Sequence, residues 1–125
     1  MATAGRRIAG LPSRVFGPGE VIFRQGEPGS REAYFVHDGR VEVRRGTPVG
    51  ERILRTLAKG DLLGEVALFS DAPHSATALA LEPVTLLVVP ANRLEYIVRT
   101  KPNFAIAIIR QLARMAATED DRPDP

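Results

Sequence analysis

Gly64-Glu65-Val66-Ala67-Leu68-Phe69-Ser70-Asp71-Ala72-Pro73-His74-Ser75-Ala76 brings a glycine, an acid, a helix-compatible run and a small-residue strand start into one short segment. It follows Gly60-Asp61-Leu62-Leu63, a turn and a short strand. Gly64 has no Cβ and so permits close backbone approach. Glu65–Phe69 suffice for one to two helical turns, whose first N–H groups have no intrahelical partner. Such a helix start attracts anions, phosphate above all. An ionised Glu65 only accepts hydrogen bonds, so it suits a pair of sugar hydroxyls and repels a phosphate brought too near. The following Ser75-Ala76-Thr77-Ala78 is a strand of small residues against whose backbone a ligand can lie. Taken singly, each residue has a plainer explanation. Glu65 is then a helix-start carboxylate, Gly64 a tight-turn glycine, and Ser75-Ala76 an ordinary strand start.

Outward from this stretch, short apolar segments alternate with turn signals. The turns are Gly17-Pro18-Gly19, Gly26-Glu27-Pro28-Gly29, Asp38-Gly39, Gly46-Thr47-Pro48-Val49-Gly50, Lys59-Gly60-Asp61 and Glu82-Pro83. Turns at roughly 8–12-residue intervals predict a sandwich or barrel of short strands. Ala33–His37, Asp38-Gly39 and Arg40–Arg44 read as a hairpin with a two-residue type I′ turn. Val36 then opposes Val41 and Tyr34 opposes Val43, all four facing the core. The other face carries Phe35, His37, Arg40, Glu42 and Arg44. Further strands are expected at Val21–Phe23, Arg52–Leu57, Ser75–Leu81 and Thr85–Val89.

Beyond Pro90 the period changes. Ala91–Thr100 reads as a short helix with Leu94, Ile97 and Val98 on one side. A second helix is expected from about Pro102 to Ala117, because proline sits well in a first helical turn. Its apolar residues Phe104, Ile106, Ile108, Ile109, Leu112 and Met115 leave only a stripe around Arg110, Gln111 and Arg114 polar. So wide an apolar face means a well-buried helix or one shared between the barrel and a second copy. Residues 1–14 are expected as a partly disordered N-terminal segment, 15–117 as the domain, and 118–125 as a disordered, acidic, proline-containing tail.

Composition narrows the function. The chain has 125 residues, 44% hydrophobic and 26% charged, which is ordinary for one globular domain. Cysteine is absent, which excludes disulfides, thiolate metal sites and a cysteine nucleophile. Two histidines, His37 and His74, are too few for a His-rich metal site, and no metal is expected. No Ser/His/Asp constellation has a helpful spacing, so catalysis is not expected. The net charge of +2 is spread along the chain, with no basic run longer than a pair. A nucleic-acid surface is therefore not indicated. No apolar run reaches the ~18–20 residues of a membrane span, and the residues after Arg6-Arg7 are too few for a signal peptide. A cytoplasmic location without membrane contact is expected.

The 64–76 stretch resembles the phosphate-binding cassette of cyclic nucleotide-binding domains, the module of catabolite-activator-type regulators, protein kinase A regulatory subunits and cyclic-nucleotide-gated channels. That pattern is Gly-Glu-x-Ala-Leu, a short loop, then Pro-Arg-(Ser/Thr/Ala)-Ala. Here it reads Gly64-Glu65-Val66-Ala67-Leu68, then Pro73-His74-Ser75-Ala76. Phe16–Gly29 resembles the family's opening strands and Tyr34–Val43 its first hairpin, and the likeness extends over about Val15–Ala117. The resemblance implies a mainly β fold, a double-stranded β-helix or jelly-roll barrel (β-roll) with helices before and after it. It implies a ligand-binding set of Gly64, Glu65, Val66, Ala67, His74, Ser75 and Ala76, with cAMP or cGMP as the regulatory ligand. Glu65 would take the ribose 2′-hydroxyl. Backbone N–H groups at Gly64, Ala67 and Ala76, with the Ser75 hydroxyl, would contact ribose and phosphate.

One departure stands out. His74 replaces the family's phosphate-clamping arginine, so a permanent, forked cation gives way to an imidazole that is mostly neutral near pH 7. Two readings follow. The first is a regulatory cyclic nucleotide-binding module without catalysis. The second is a degenerate β-roll serving protein interaction or dimerisation. Independently of that choice, the wide apolar face of the C-terminal helix leads to the expectation of a homodimer through it. No helix-turn-helix follows the domain, as expected of a free-standing sensor or of one domain of a longer chain. Arg24 and Arg31 read as surface charges and not as substitute phosphate binders, and His37 as a solvent-face strand residue.

Overall fold

The computed structural model describes residues 3–64, 70–107, 109 and 110. Among these residues nine strands run in order: β1 (Thr3–Ile8), β2 (Leu11–Phe16), β3 (Val21–Phe23), β4 (Glu32–Asp38), β5 (Val41–Thr47), β6 (Gly50–Leu57), β7 (Leu62–Leu63), β8 (Thr77–Ala80) and β9 (Val84–Pro90). A 3-10 turn at Ala91–Arg93 leads into helix α1 (Leu94–Thr100), and residues 102–107, 109 and 110 are again helical. The strands form two antiparallel sheets, one ordered β1-β2-β9-β4-β7 and the other β3-β8-β5-β6. This is the mainly β roll that the resemblance implies, built of the short strands that the turn spacing predicts. Among the described residues its helices follow the strands and none precedes them.

The sheets face each other across one core. Phe16, Tyr34, Val36, Leu63, Val84, Leu86 and Val88 project from the first sheet, and Phe23, Val41, Val43, Leu57, Ala78 and Ala80 from the second. A smaller cluster of Leu11, Ala33, Leu87, Val89, Ile97 and Phe104 lies on the other side of the first sheet, under the helices. Strand β9 is thus buried on both faces, which explains why Val84–Val89 is nearly continuous in apolar residues instead of alternating. Ile97 is the one fully enclosed residue of α1. Leu94 packs beside it, but Val98 is 40% exposed, outside the expected apolar side. Phe35 meets Phe104 edge-on at 4.5 Å, so this second face of β4 is helix-covered.

Two expectations are corrected. Asp38-Gly39 does not close a hairpin: β4 pairs with β9 and β7, and β5 with β6 and β8. Val36 opposes Leu86 and Tyr34 opposes Val88, while Val41 opposes Ala80 and Val43 opposes Ala78. A type I′ turn needs positive φ at both central residues, and only Gly39 has it, at +91°. The chain here crosses from one sheet to the other. A Cβ on Gly39 would run into the Pro83 carbonyl oxygen and lie 2.9 Å from the Val84 Cα. The inward residues are nonetheless those expected, because alternation fixes the face and not the partner strand.

The second correction is at the N-terminus. From Thr3 onward the segment 1–14 is part of the first sheet, with Thr3 opposite Val15 and Ile8 opposite Leu11. Strand β2 in turn pairs with β9. The connecting turn is Ala9-Gly10, with φ of 52° and 79°. The expected helix at 102–117 is described through residue 107 and at 109 and 110; its remainder, and the tail 118–125, lie outside the described residues.

Candidate functional site

Both described ends of the 64–76 stretch meet on one aromatic ring. Strand β7 pairs with β4, Leu63 opposite Tyr34, and delivers the chain to Gly64. Gly64 has φ of +74°, the left-handed region that disfavours a Cβ. A Cβ built there would lie 3.6 Å from Phe23 Cε2, an ordinary contact, so conformation and not crowding selects glycine. At the other end the His74 imidazole lies on Phe23 with centroids 3.8 Å apart and planes 10° from parallel. Behind Phe23 stands Tyr34 at 6.5 Å. The Tyr34 hydroxyl donates to Glu32 Oε1 at 2.8 Å, and Arg14 donates to the same oxygen at 2.7 Å. Burial, reinforced by the bond to Glu32, pushes the Tyr34 phenol up, so it stays a donor.

The return segment is fixed by backbone bonds. Gly26 N–H donates to the His74 carbonyl at 2.8 Å, and His74 N–H to the Glu27 carbonyl at 2.9 Å. A Cβ on Gly29 would sit 3.0 Å from the Ala72 carbonyl oxygen, which shows how closely the β3–β4 loop passes. Asp71 also pairs with Arg31 at 3.0 Å, but both side chains are exposed and such pairs contribute only about 0–1 kcal/mol. His74 therefore has a fixed backbone and a half-buried ring. Burial holds its pKa below the usual 6.5, only partly opposed by the Glu27 charge. The imidazole is neutral near pH 7 and, unlike an arginine, supplies no standing cation.

Ser75 is exposed, and its carbonyl accepts from Arg45 Nε at 3.1 Å. Ala76 is 6% exposed and belongs to the core. Strand β8 begins only at Thr77, whose Oγ1 accepts from Gln25 N–H at 2.9 Å. The structure thus brings together Gly64 and His74 about Phe23, with Ser75 and Ala76 next in sequence. Glu65, Val66 and Ala67, and the helical turn expected at Glu65–Phe69, lie outside the described residues. Arg24 is exposed beside a groove of about 310 Å³ on the outer face of the second sheet, and Arg31 is in its exposed ion pair with Asp71.

A residue that the sequence reading passed over is Arg55. Across the second sheet Phe23 opposes Ala78, Ala78 opposes Val43, and Val43 opposes Arg55. Directly opposed residues of antiparallel strands share a face, and Phe23, Ala78 and Val43 all face the core. Arg55 ends this inward row. It is half-buried, with its Nε shielded from solvent, between the exposed Leu54 and Thr56. Its period-two relation to the core residue Leu57 was the signal in the sequence. Among the described residues no cluster of three or more metal-ligating side chains occurs, and no helix is long and apolar enough to cross a membrane.

Comparison with known proteins places this geometry. The family model of the cyclic nucleotide-binding domain matches residues 13–101. A CRP-like cAMP-activated global transcriptional regulator of Mycobacterium tuberculosis is 29% identical over 100 residues, covering 79% of this chain and 44% of the regulator. A cAMP-dependent protein kinase regulatory subunit of Mycosarcoma maydis is 40% identical over 70 residues, covering 56% of this chain and 13% of the subunit. The Thermus thermophilus catabolite activator protein superposes with a TM-score of 0.75 at 32% identity, covering 88% of this chain and 52% of that one. The chain spans about half the length, or less, of these relatives.

Proposed function

This chain belongs to the cyclic nucleotide-binding domain family, and from that premise we propose that it is a regulatory module that binds cAMP or cGMP and performs no chemistry of its own. The observation that carries this reading is the approach of Gly64 and His74 to the single ring of Phe23. That arrangement supports the reading by bringing two described parts of the 64–76 stretch to one ring. Gly64, Ala67 and Ala76 N–H groups and the Ser75 hydroxyl would take the phosphate and ribose, Val66 would line the site, and Glu65 would accept from the ribose 2′-hydroxyl. His74 would donate to the cyclic phosphate, whose single negative charge draws a proton onto the imidazole. No metal takes part, and the module works in the cytoplasm.

Isothermal titration with cAMP and with cGMP tests the reading. Saturable one-to-one binding of either supports it. Heat-silent titrations with both, on folded protein, replace it with the degenerate interaction domain. We also propose a homodimer through the C-terminal helix. In support, Ile106 and Ile109 are 48% and 65% exposed on the side away from Phe104, more than one roll covers. A monomer mass by light scattering at high concentration removes this part of the proposal.

A further inference from the structure

We propose that Arg45, with Arg52 beside it, supplies the standing positive charge for the ligand's phosphate that position 74 lacks; this rests on the nucleotide-binding reading above. The neutral His74 imidazole can donate a hydrogen bond but brings no permanent charge. Val41 and Val43 of β5 face the core, so Arg45, next in the alternation, shares their inward face. Arg44 opposes Thr77, which sets Arg45 beside the end of the return segment, and its Nε donates to the Ser75 carbonyl at 3.1 Å. That bond uses one of five guanidinium N–H donors. The other four remain for an anion next to the Ser75 hydroxyl and the Ala76 N–H, groups assigned above to the phosphate and ribose.

Arg52 directly opposes Arg45 on β6. Opposed residues share a face, with Cβ atoms about 4.5–5.5 Å apart, and like charges there repel. A β-bulge creates this pairing. Counting in twos from Leu57 and Arg55 would turn Ile53 inward, but the register shifts between Arg55 and Ile53 and makes Leu54 the extra residue. Ile53 is left 60% exposed on the outer face, opposite Arg44, and Arg52 comes round to the inward one. The bulge thus exposes an apolar side chain and sets two cations face to face, both unfavourable to the free protein. Arg14, Arg31, Arg40 and Arg44 each meet an acid. Among the described residues Arg45 and Arg52 form no ion pair, and both are exposed to an incoming ligand. Glu51, beside Arg52 in sequence, lies opposite Gly46 on the outer face, 3.9 Å from Arg44. An anion bound between the two guanidiniums relieves their repulsion, and their planar forks match phosphate oxygens.

Calorimetric titration of the wild-type chain, Arg45→Gln, Arg45→Lys and Arg52→Gln with cAMP and with cGMP, each at low and at high sodium chloride, tests the assignment. The phosphate is common to both nucleotides, so Arg45→Gln should weaken both by a similar factor, roughly 10- to 100-fold. Arg45→Lys keeps the charge without the fork and should recover part of the loss. Wild-type affinity should fall with salt, and less steeply in Arg45→Gln. A residue that merely holds the Ser75 carbonyl would leave the salt dependence as it is. Arg52→Gln should weaken both nucleotides by roughly two- to fivefold. Without ligand it should melt at the same or a higher temperature than wild type, because the repulsion is gone. Unchanged affinities in Arg45→Gln overturn the proposal, as does a loss confined to one nucleotide, which would put Arg45 on the base. If Arg45→Gln fails to fold, Arg52→Gln decides, and an undiminished affinity or an unaltered salt dependence there overturns the proposal. Absence of binding of either nucleotide to wild type is the separate failure of the nucleotide-binding reading, and the assignment falls with it.

Discussion

His74 lies flat on Phe23, the rings 3.8 Å apart and 10° from parallel, and burial in that stack keeps the imidazole below its ordinary pKa of 6.5. A cyclic phosphate beside the ring would favour imidazolium. Binding must then take up a proton at pH values between the free-protein pKa and the higher pKa of the complex. Affinity is expected to rise as pH falls from about 8 and to level off below that depressed value, under about 6.5. His74→Arg should bind more tightly at neutral pH and flatten the profile, and His74→Ala should bind more weakly, also without the slope. Titrations at about pH 6 and about pH 8 in buffers of different ionisation enthalpy measure the proton count directly. Tight wild-type binding without pH dependence would remove His74 from the phosphate.

The same shift acts on folding. The unfolded His74 protonates near 6.5 and the folded one only at lower pH, so between the two values the unfolded chain holds more protons. This contribution to stability is complete above about 6.5 and is lost as pH falls to the folded value. Urea midpoints across this range should decline towards acid in the wild type, and less so in His74→Phe. Parallel curves for the two proteins would count against the stack as the cause.

Glu65→Ala is expected to weaken nucleotide binding by roughly tenfold to a hundredfold or more, the effect of losing a hydrogen bond to a charged group. The role comes from the Gly64-Glu65-Val66-Ala67-Leu68 pattern, in which the acid meets ligand and not core. Stability should stay within about 0.5 kcal/mol of wild type, as for substitutions away from a core. A collapsed melting temperature, or an unchanged affinity, would show that Glu65 serves the fold instead.

Gly39→Ala should be far more damaging than Gly60→Ala. Both positions have positive φ, +91° and +95°. A Cβ on Gly60 meets nothing within 4 Å, so only backbone strain of about 1–2 kcal/mol applies. At Gly39 the same strain is joined by collision with the Pro83 backbone, for a further ~1–3 kcal/mol of forced movement. Denaturant midpoints of the two variants give the comparison, and equal losses would mean that the sheet crossing yields without resistance.

The faces of the strands were legible in the sequence and their partners were not. Tyr34, Val36, Val41 and Val43 are core residues as alternation requires, yet none pairs across Asp38-Gly39: Tyr34 and Val36 oppose Val88 and Leu86 of β9, while Val41 and Val43 lie between β8 and β6. Side-chain period is a local property, whereas pairing depends on how two sheets close on each other. The 64–76 stretch was legible as a motif, but the Phe23 stack was not, because nothing local links position 23 to position 74. Arg55 was readable in principle, two positions before the core residue Leu57, but an arginine in a strand reads as solvent-facing until its cross-strand neighbour Val43 is known.

Ala9-Gly10 makes the tight two-residue connection that Asp38-Gly39 was expected to make. Ile8 opposes Leu11, and both turn residues have positive φ, 52° at Ala9 and 79° at Gly10. Alanine in that conformation brings its Cβ towards the following carbonyl oxygen, at about 1–2 kcal/mol. Asparagine tolerates it, and Asn-Gly is the preferred pair for such turns. Ala9→Asn should therefore stabilise by about 0.5–1 kcal/mol, which corresponds to a rise of a few degrees in Tm for a domain of this size. Since β1 lies at the edge of its sheet and among the described residues is joined only to β2, it can open without the rest of the roll. Hydrogen exchange at the β1 amides is therefore the more sensitive readout. Slower exchange there, with an equal or higher Tm, is the expected result. Unchanged or faster exchange would mean that the turn does not limit the pairing of β1 with β2.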